Sequence, residues 1–374
     1  MSEAWDVVVV GAGIVGSACA MECASRGLRT AVVEGTGVGS GATAAGMGHI
    51  VVMDDSPAQL ALTHCSQKLW QDLSKRLPAD VEYEACGTLW VATDEEEMRE
   101  VRRKSEIYTS AGVSTEILDS QMLAEAEPQL RRPLAGALLV SLDAVLYPPC
   151  AAGFLMREAE RMGARLYAAK ALSAGSGKVR LGDGTELHAA RIVNAGGADA
   201  GKLLAGLPIR KRKGHLVITD RYPGFVQHQL VELGYLKSAH SSTADSVAFN
   251  IQPRRTGQVL IGSSRQFGAE EFKVDQEILA AMIERAQWYL PTIGALSAIR
   301  VWTGFRAATP DKLPLIGPWP EDESLFLATG HEGLGITTSL GTALILADQL
   351  SGREPEIPIE PYLPARFARS DAHA

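Results

Sequence analysis

Four consecutive valines, Val7 to Val10, run straight into the pattern Gly11-x-Gly13-x-x-Gly16. The unbroken apolar run predicts a buried strand over 6–10, helical spacing predicts a helix over 14–26 that Gly27 stops, and 29–34 repeats the strand pattern. Together they form a βαβ unit. The next stretch, 35–52, is a long loop of small residues, and helical spacing resumes at 60–77. Further along, the pattern predicts a strand at 83–93, a charged surface helix at 95–108 and a helix at 149–162 closed by Gly163. Short strands follow at 165–169, Lys178–Leu181, 186–188 and 191–197. Strand patterns at 214–220, 246–253 and 257–264 dominate the following hundred residues, with one amphipathic helix at 275–290. A strand at 324–330, a glycine-rich turn and a long apolar helix at 336–350 return the chain to the α/β pattern. The α/β material is thus discontinuous, with a β-rich part inserted twice.

With 374 residues, 46% of them hydrophobic, the chain can bury a large core in two domains. Its net charge of −8 argues against a nucleic-acid partner. Cys19, Cys23, Cys65, Cys86 and Cys150 form no CxxC pair, which points to reduced thiols and to no metal or iron–sulfur site. Acidic Glu3 and Asp6 stand where a signal peptide would be basic, and no segment has the apolar length of a membrane span. The expected location is cytoplasmic, compatible with peripheral attachment at the inner membrane face.

Gly11, Gly13, Ile14, Val15 and Gly16 follow a strand and open a helix, and Glu34 ends the next strand, where its carboxylate can accept both hydroxyls of an adenosine ribose. An acid there repels a 2′-phosphate, which disfavours NADP. Four features favour FAD over NAD. Ser40, Ala42, Thr43, Ala45, Gly46, Met47 and Gly48 offer hydroxyls and backbone amides to a long extended cofactor. Ala195 and Gly196 put small residues where the chain crosses near the dinucleotide. Gly333, Leu334, Gly335, Ile336 and Thr337 form a turn at a helix start, whose amides suit the negative charge of a reduced flavin. Finally, no second GxGxxG is present to hold NAD beside a flavin.

GAGIVGSACA, Glu34, VNAGG, TGFRAATPDKLPLIG and TGHEGLGITTSLG together resemble the FAD-dependent D-amino-acid oxidase superfamily, in its glycine and sarcosine oxidase branch, across essentially the whole chain. Within it, KRKGHLVITDR, NIQPRRTGQVLIGSSRQ and GHEGLGITTS resemble the β subunit of D-hydroxyproline dehydrogenases. The resemblance implies an α/β plus β fold: a discontinuous Rossmann-like FAD-binding domain (1–80, 141–210, 311–374) and a largely antiparallel-sheet substrate domain (81–140, 211–310). It also implies noncovalent FAD and oxidation of an amino or imino acid to the imine by hydride transfer from Cα to flavin N5. Arg306 takes the place of the arginine that binds the substrate carboxylate. Val259, Leu260 and Ile261 stand where sarcosine oxidases place an oxygen-activating lysine, which favours a dehydrogenase that passes electrons to partner subunits carrying iron–sulfur or flavin groups. A true oxidase and a noncatalytic, FAD-holding relay subunit are the alternatives.

His49 and His331 are candidates to line the flavin or the substrate, His215 begins a substrate-domain strand, and each is as well explained by a structural hydrogen bond. Arg254 and Arg255 read as flanking the cleft mouth or as a charged hairpin. Tyr83 and Trp302 read as core aromatics.

Overall fold

The computed structural model describes residues 4–234 and 245–367. Strand β1 (Trp5–Val10), helix α1 (Ile14–Ser25) and strand β2 (Thr30–Val33) form the expected βαβ unit, with Val7–Val10 buried on both sides. β1 lies between β2 and β11 (Glu186–Asn194), parallel to both, and β8 (Arg165–Tyr167) and β18 (Asp322–Thr329) extend the parallel sheet on either side. β17 (Leu315–Trp319) closes one edge antiparallel to β18, and the hairpin β9 (Ala171–Gly175) and β10 (Lys178–Leu181) grows from β11. α1 packs between α5 (Pro148–Arg161) and α7 (Gly335–Ser351), with α2 (Pro57–Ser74) against α7. The small residues of α1, Gly16, Ala18, Cys19, Ala20 and Cys23, are what let these helices approach closely.

A second sheet runs in the order β16 (Ala298–Ala308), β12 (Arg210–Arg221), β15 (Gln258–Phe267), β14 (Ser246–Pro253), β13 (Gln229–Glu232), β4 (Thr88–Ala92), β6 (Gly136–Val140), β5 (Glu116–Asp119). It is antiparallel except where β13 meets β4. Alternation sorts its residues by face. Val217, Phe249, Ile251, Val259 and Ile261 pack under α6 (Gln276–Tyr289), whereas Arg212, Gly214, Leu216, Asn250, Val231 and Trp90 face the first sheet across a cleft. Behind Trp90, α3 (Glu95–Ser110) buries Lys104, which pairs with Asp54 and sits 4.4 Å from the Trp90 ring centre and 4.7 Å from that of Tyr108. β3 (His49–Ile50) and β7 (Ala144–Val145) form a small ladder of their own.

The sequence pattern departs from the structure in local ways. The strand expected at 83–93 is cut to Thr88–Ala92 because Gly87 takes a positive φ of 71°, leaving Glu84 only an isolated bridge to Val145. The two strands expected at 186–188 and 191–197 are one continuous strand. α2 starts at Pro57 rather than 60, since the Ser56 hydroxyl accepts the Gln59 N–H as an N-cap. β5, α4 (Ser120–Ala126), β6 and β13 are additions that the pattern does not announce. The five cysteines are unpaired. No helix among the described residues is long and apolar enough to cross a membrane.

Candidate active site

A cleft of about 910 Å3 separates the two sheets. One end is made by the turn after β1. Gly11 sits at φ +104°, and a Cβ there would lie 2.7 Å from the Ala195 carbonyl oxygen; a Cβ on Gly16 would lie 1.9 Å from the Gly11 carbonyl oxygen. Only glycines let α1 begin this close to β1 and β11. Gly11, Gly13, Ile14 and Val15 line the cleft, while Gly16 serves it from behind. The N-cap Gly13 puts no side chain over the start of α1, whose dipole favours an anion there. The Thr43 hydroxyl does not point only into the cleft: it accepts the Ile14 N–H at 3.0 Å and ties the loop to α1.

Glu34 Oε2 accepts the Ala12 N–H at 2.8 Å, and Oε1 accepts the Thr36 N–H at 2.7 Å. Burial works against the charge, but these amides outweigh it and hold the carboxyl below its ordinary pKa. The group is thus an ionised acceptor fixed in place. Ser40, Ala42, Ala45, Gly46 and Met47 line the cleft with Ala195, Gly196, Gly333, Leu334, Gly335 and Ile336. Gly48 and Thr337 stand behind this lining. Gly48 has φ +101°, with a Cβ position 2.0 Å from the Leu146 carbonyl oxygen, and the Thr337 hydroxyl donates to the His49 carbonyl at 2.9 Å. The starts of α1 and α7 therefore border one cleft walled by glycines, with the ionised Glu34 carboxylate in its lining. That donor set fits a dinucleotide such as FAD.

The far end belongs to the second sheet. Arg306 on β16 lines the cleft, and its Nη1 donates to the Ser264 carbonyl at 2.9 Å. Its guanidinium lies across β12 at Gly214, where a Cβ would come within 2.6 Å of Nη1. Arg212, its register partner on β12, is ion-paired with Glu332. Glu332 holds a left-handed φ of 55°, and its N–H donates to the Ala307 carbonyl at 2.8 Å, which locks the glycine-rich turn onto β16. Neither the Arg212–Glu332 pair nor Asn250 stands out in the sequence by composition. Period-two alternation along 246–253 would have put Asn250 and Gln252 on one face.

His49 lines the cleft, with Nδ1 2.8 Å from Gln229 Oε1. Burial pushes its pKa down to about 4, with Gln229 opposing and the Arg306 charge adding to the fall. His331 is buried, its Nε2 2.9 Å from the Thr342 hydroxyl, and burial lowers its pKa to about 3. His215 is structural, since Nδ1 meets the Ser264 hydroxyl at 2.9 Å and Nε2 accepts the Asp275 N–H at 3.0 Å. Arg254 is neither at the cleft mouth nor in a solvated hairpin. It is buried, donating to the Leu146 carbonyl and to Glu82, each at 2.8 Å. Trp302 packs with Met47, Leu216 and Leu260, and Tyr83 against the first sheet's core. Among the described residues, no group of three or more His, Cys, Asp or Glu is placed to hold a metal.

The two depressed histidines carry a stability prediction. Both stay neutral in the fold at pH values where the unfolded chain, with a histidine pKa of about 6.5, binds protons. Their contribution is intact above that pH and is lost as pH falls from about 6.5 toward 4, at up to about 1.4 kcal/mol per unit for each. Substituting His331→Gln should flatten the fall in Tm between pH 7 and pH 5; an unchanged slope contradicts the assignment.

Comparison with known proteins agrees with this geometry. A family model described as FAD dependent oxidoreductase matches residues 6–349. Glycine oxidase of Pseudomonas aeruginosa is 29% identical over 392 residues, covering 98% of this chain and 99% of that protein. Hydrogen cyanide synthase subunit HcnC of the same organism is 26% identical, covering 98% and 97%. The crystal structure of glycine oxidase from Geobacillus kaustophilus superposes with a TM-score of 0.86 at 27% identity, covering 98% and 99%. The chain belongs to the family of FAD dependent oxidoreductases and is an FAD-dependent enzyme.

Proposed function

We propose that the chain is the catalytic subunit of a D-hydroxyproline dehydrogenase that passes electrons to partner subunits carrying iron–sulfur or flavin groups. Segments 1–80, 141–210 and 311–374 would hold the cofactor, and 81–140 with 211–310 the substrate. The observation that carries the reading is Arg306, a guanidinium set in the cleft wall on the second sheet, whereas Glu34 follows β2 of the first. Its planar fork suits two parallel charge-assisted bonds to a carboxylate, which fixes the substrate's Cα.

When bound, the flavin supplies the acceptor for the hydride that leaves Cα. The chain itself need only bind, orient and shield. Met47, Leu216, Val231 and Trp90 give the cleft apolar walls, and neutral His49 stands among them able to accept a hydrogen bond without adding charge.

Electron transfer to a partner is supported by Leu260, the member of Val259, Leu260 and Ile261 that packs with cleft residues Met47 and Leu216, which is buried and apolar where an oxygen-activating lysine would stand. Of the cleft lysines, Lys202 and Lys211 are ion-paired with Asp199 at 3.0 and 2.9 Å. The relative named as a hydrogen cyanide synthase subunit supports a multi-subunit setting. Unpaired thiols fit the cytoplasm, with any membrane association at its inner face through a partner. Oxidation by oxygen is the second reading, favoured by the relatives named glycine oxidase. The purified flavoprotein should reduce artificial dyes far faster than oxygen with D-hydroxyproline as donor. Stoichiometric peroxide formed at a rate matching dye reduction would instead establish the oxidase.

A further inference from the structure

Asn250 is 8% exposed on β14, lines the cleft, and has no hydrogen-bond partner for its side chain among the described residues; its Oδ1 is buried outright. A buried amide without partners is destabilising, and an apolar side chain would cost the fold nothing there. Its neighbours across the sheet make the contrast sharper. Val231 faces Asn250 on one strand and Trp90 faces Val231 on the next, so an otherwise apolar row of the cleft wall carries one amide. The Trp90 ring is held in place by Lys104 beneath it, which keeps this wall rigid.

We propose that Asn250 is a specificity-determining residue that reads a hydroxyl on the substrate's side chain. The inference rests on Arg306 holding the carboxylate. Arg306 Nη1 donates to the carbonyl of Ser264 on β15, and Asn250 pairs with Gly262 on the same strand, so guanidinium and amide belong to one stretch of cleft wall. A ligand whose carboxylate is held by Arg306 can then present a side-chain hydroxyl to Asn250, and a substrate without that hydroxyl leaves the amide unanswered.

The test uses the holoenzyme and two pairs of compounds. In turnover, 4-hydroxyproline is preferred over proline of the same configuration by about 5- to 150-fold in kcat/KM, and Asn250→Leu brings the ratio to near one while proline turnover is kept. Asn250→Ser, which retains a hydroxyl, restores part of the preference. In binding, the amine-free pair 3-hydroxycyclopentanecarboxylate and cyclopentanecarboxylate, read from the perturbed flavin spectrum, shows the same preference and the same loss. FAD content stays equal across the variants. A preference that survives Asn250→Leu, no preference in the native protein, or loss of FAD from the variant each overturns the assignment. Loss of Arg306-dependent binding for both carboxylates strikes instead at the site reading on which it depends.

Discussion

Arg306→Ala lowers kcat/KM for amino-acid substrates by roughly 30- to 1000-fold while FAD content and flavin spectrum stay as in the native protein. A carboxylate taken from water into this cleft needs a charged partner, and the bidentate pair is worth roughly 2 to 4 kcal/mol, at about 1.4 kcal/mol per tenfold. The size of the loss follows from the surroundings. Arg212 is paired with Glu332, and its charge is engaged in holding the turn to β16. Arg306→Lys retains the charge without the fork and falls between the two. Amines lacking a carboxylate lose little with either change. Equal losses for both classes of amine, or release of FAD, remove Arg306 from the carboxylate role.

The second large effect is on the cofactor. In Gly11→Ala a methyl group would stand 2.7 Å from the Ala195 carbonyl oxygen, on a residue whose φ of +104° is itself strained for any side chain. In Gly16→Ala the clash is with the Gly11 carbonyl oxygen at 1.9 Å. Backbone cannot yield as a flexible side chain can, so each change pushes α1 away from β1 and widens the anion site at its start. Each variant should purify with far less than one FAD per chain, by absorbance of the flavin released on acid precipitation. Gly27→Ala serves as the control, because nothing lies within 4 Å of its Cβ position, although φ there is +79°. Full FAD occupancy in Gly16→Ala would show that the cofactor does not depend on this approach.

The cofactor end of the molecule is legible in the sequence because its signals are local. The valine run, the three glycines and Glu34 lie within one βαβ unit, and each acts through the backbone of its neighbours. The substrate end is harder to read because its residues meet only through the sheet. Arg306, Ser264, Gly214 and Asn250 sit on four strands whose order, β16-β12-β15-β14, no periodicity reveals. The same limit explains Arg254, which reads as a cleft-mouth or hairpin charge and proves to be a buried tie between elements, while His215, for which the sequence left a structural hydrogen bond open, is such a tie. The missed β13 is four residues long and gains its place by pairing parallel with β4, far away in the chain.

The packing of α1 against α7 joins the beginning of the chain to nearly its end, with Arg26 Nη1 on Asp348 at 2.7 Å across 322 positions. On a ribosome adding about 5 to 20 residues per second, the α1 surface would wait about 16 to 60 s for its partner. Throughout that interval the side of α1 that α7 will cover lies bare. The β1–α1 turn that floors the cleft is thus made long before the start of α7 that borders it, and a chain halted before Gly335 lacks that border whatever the supply of FAD.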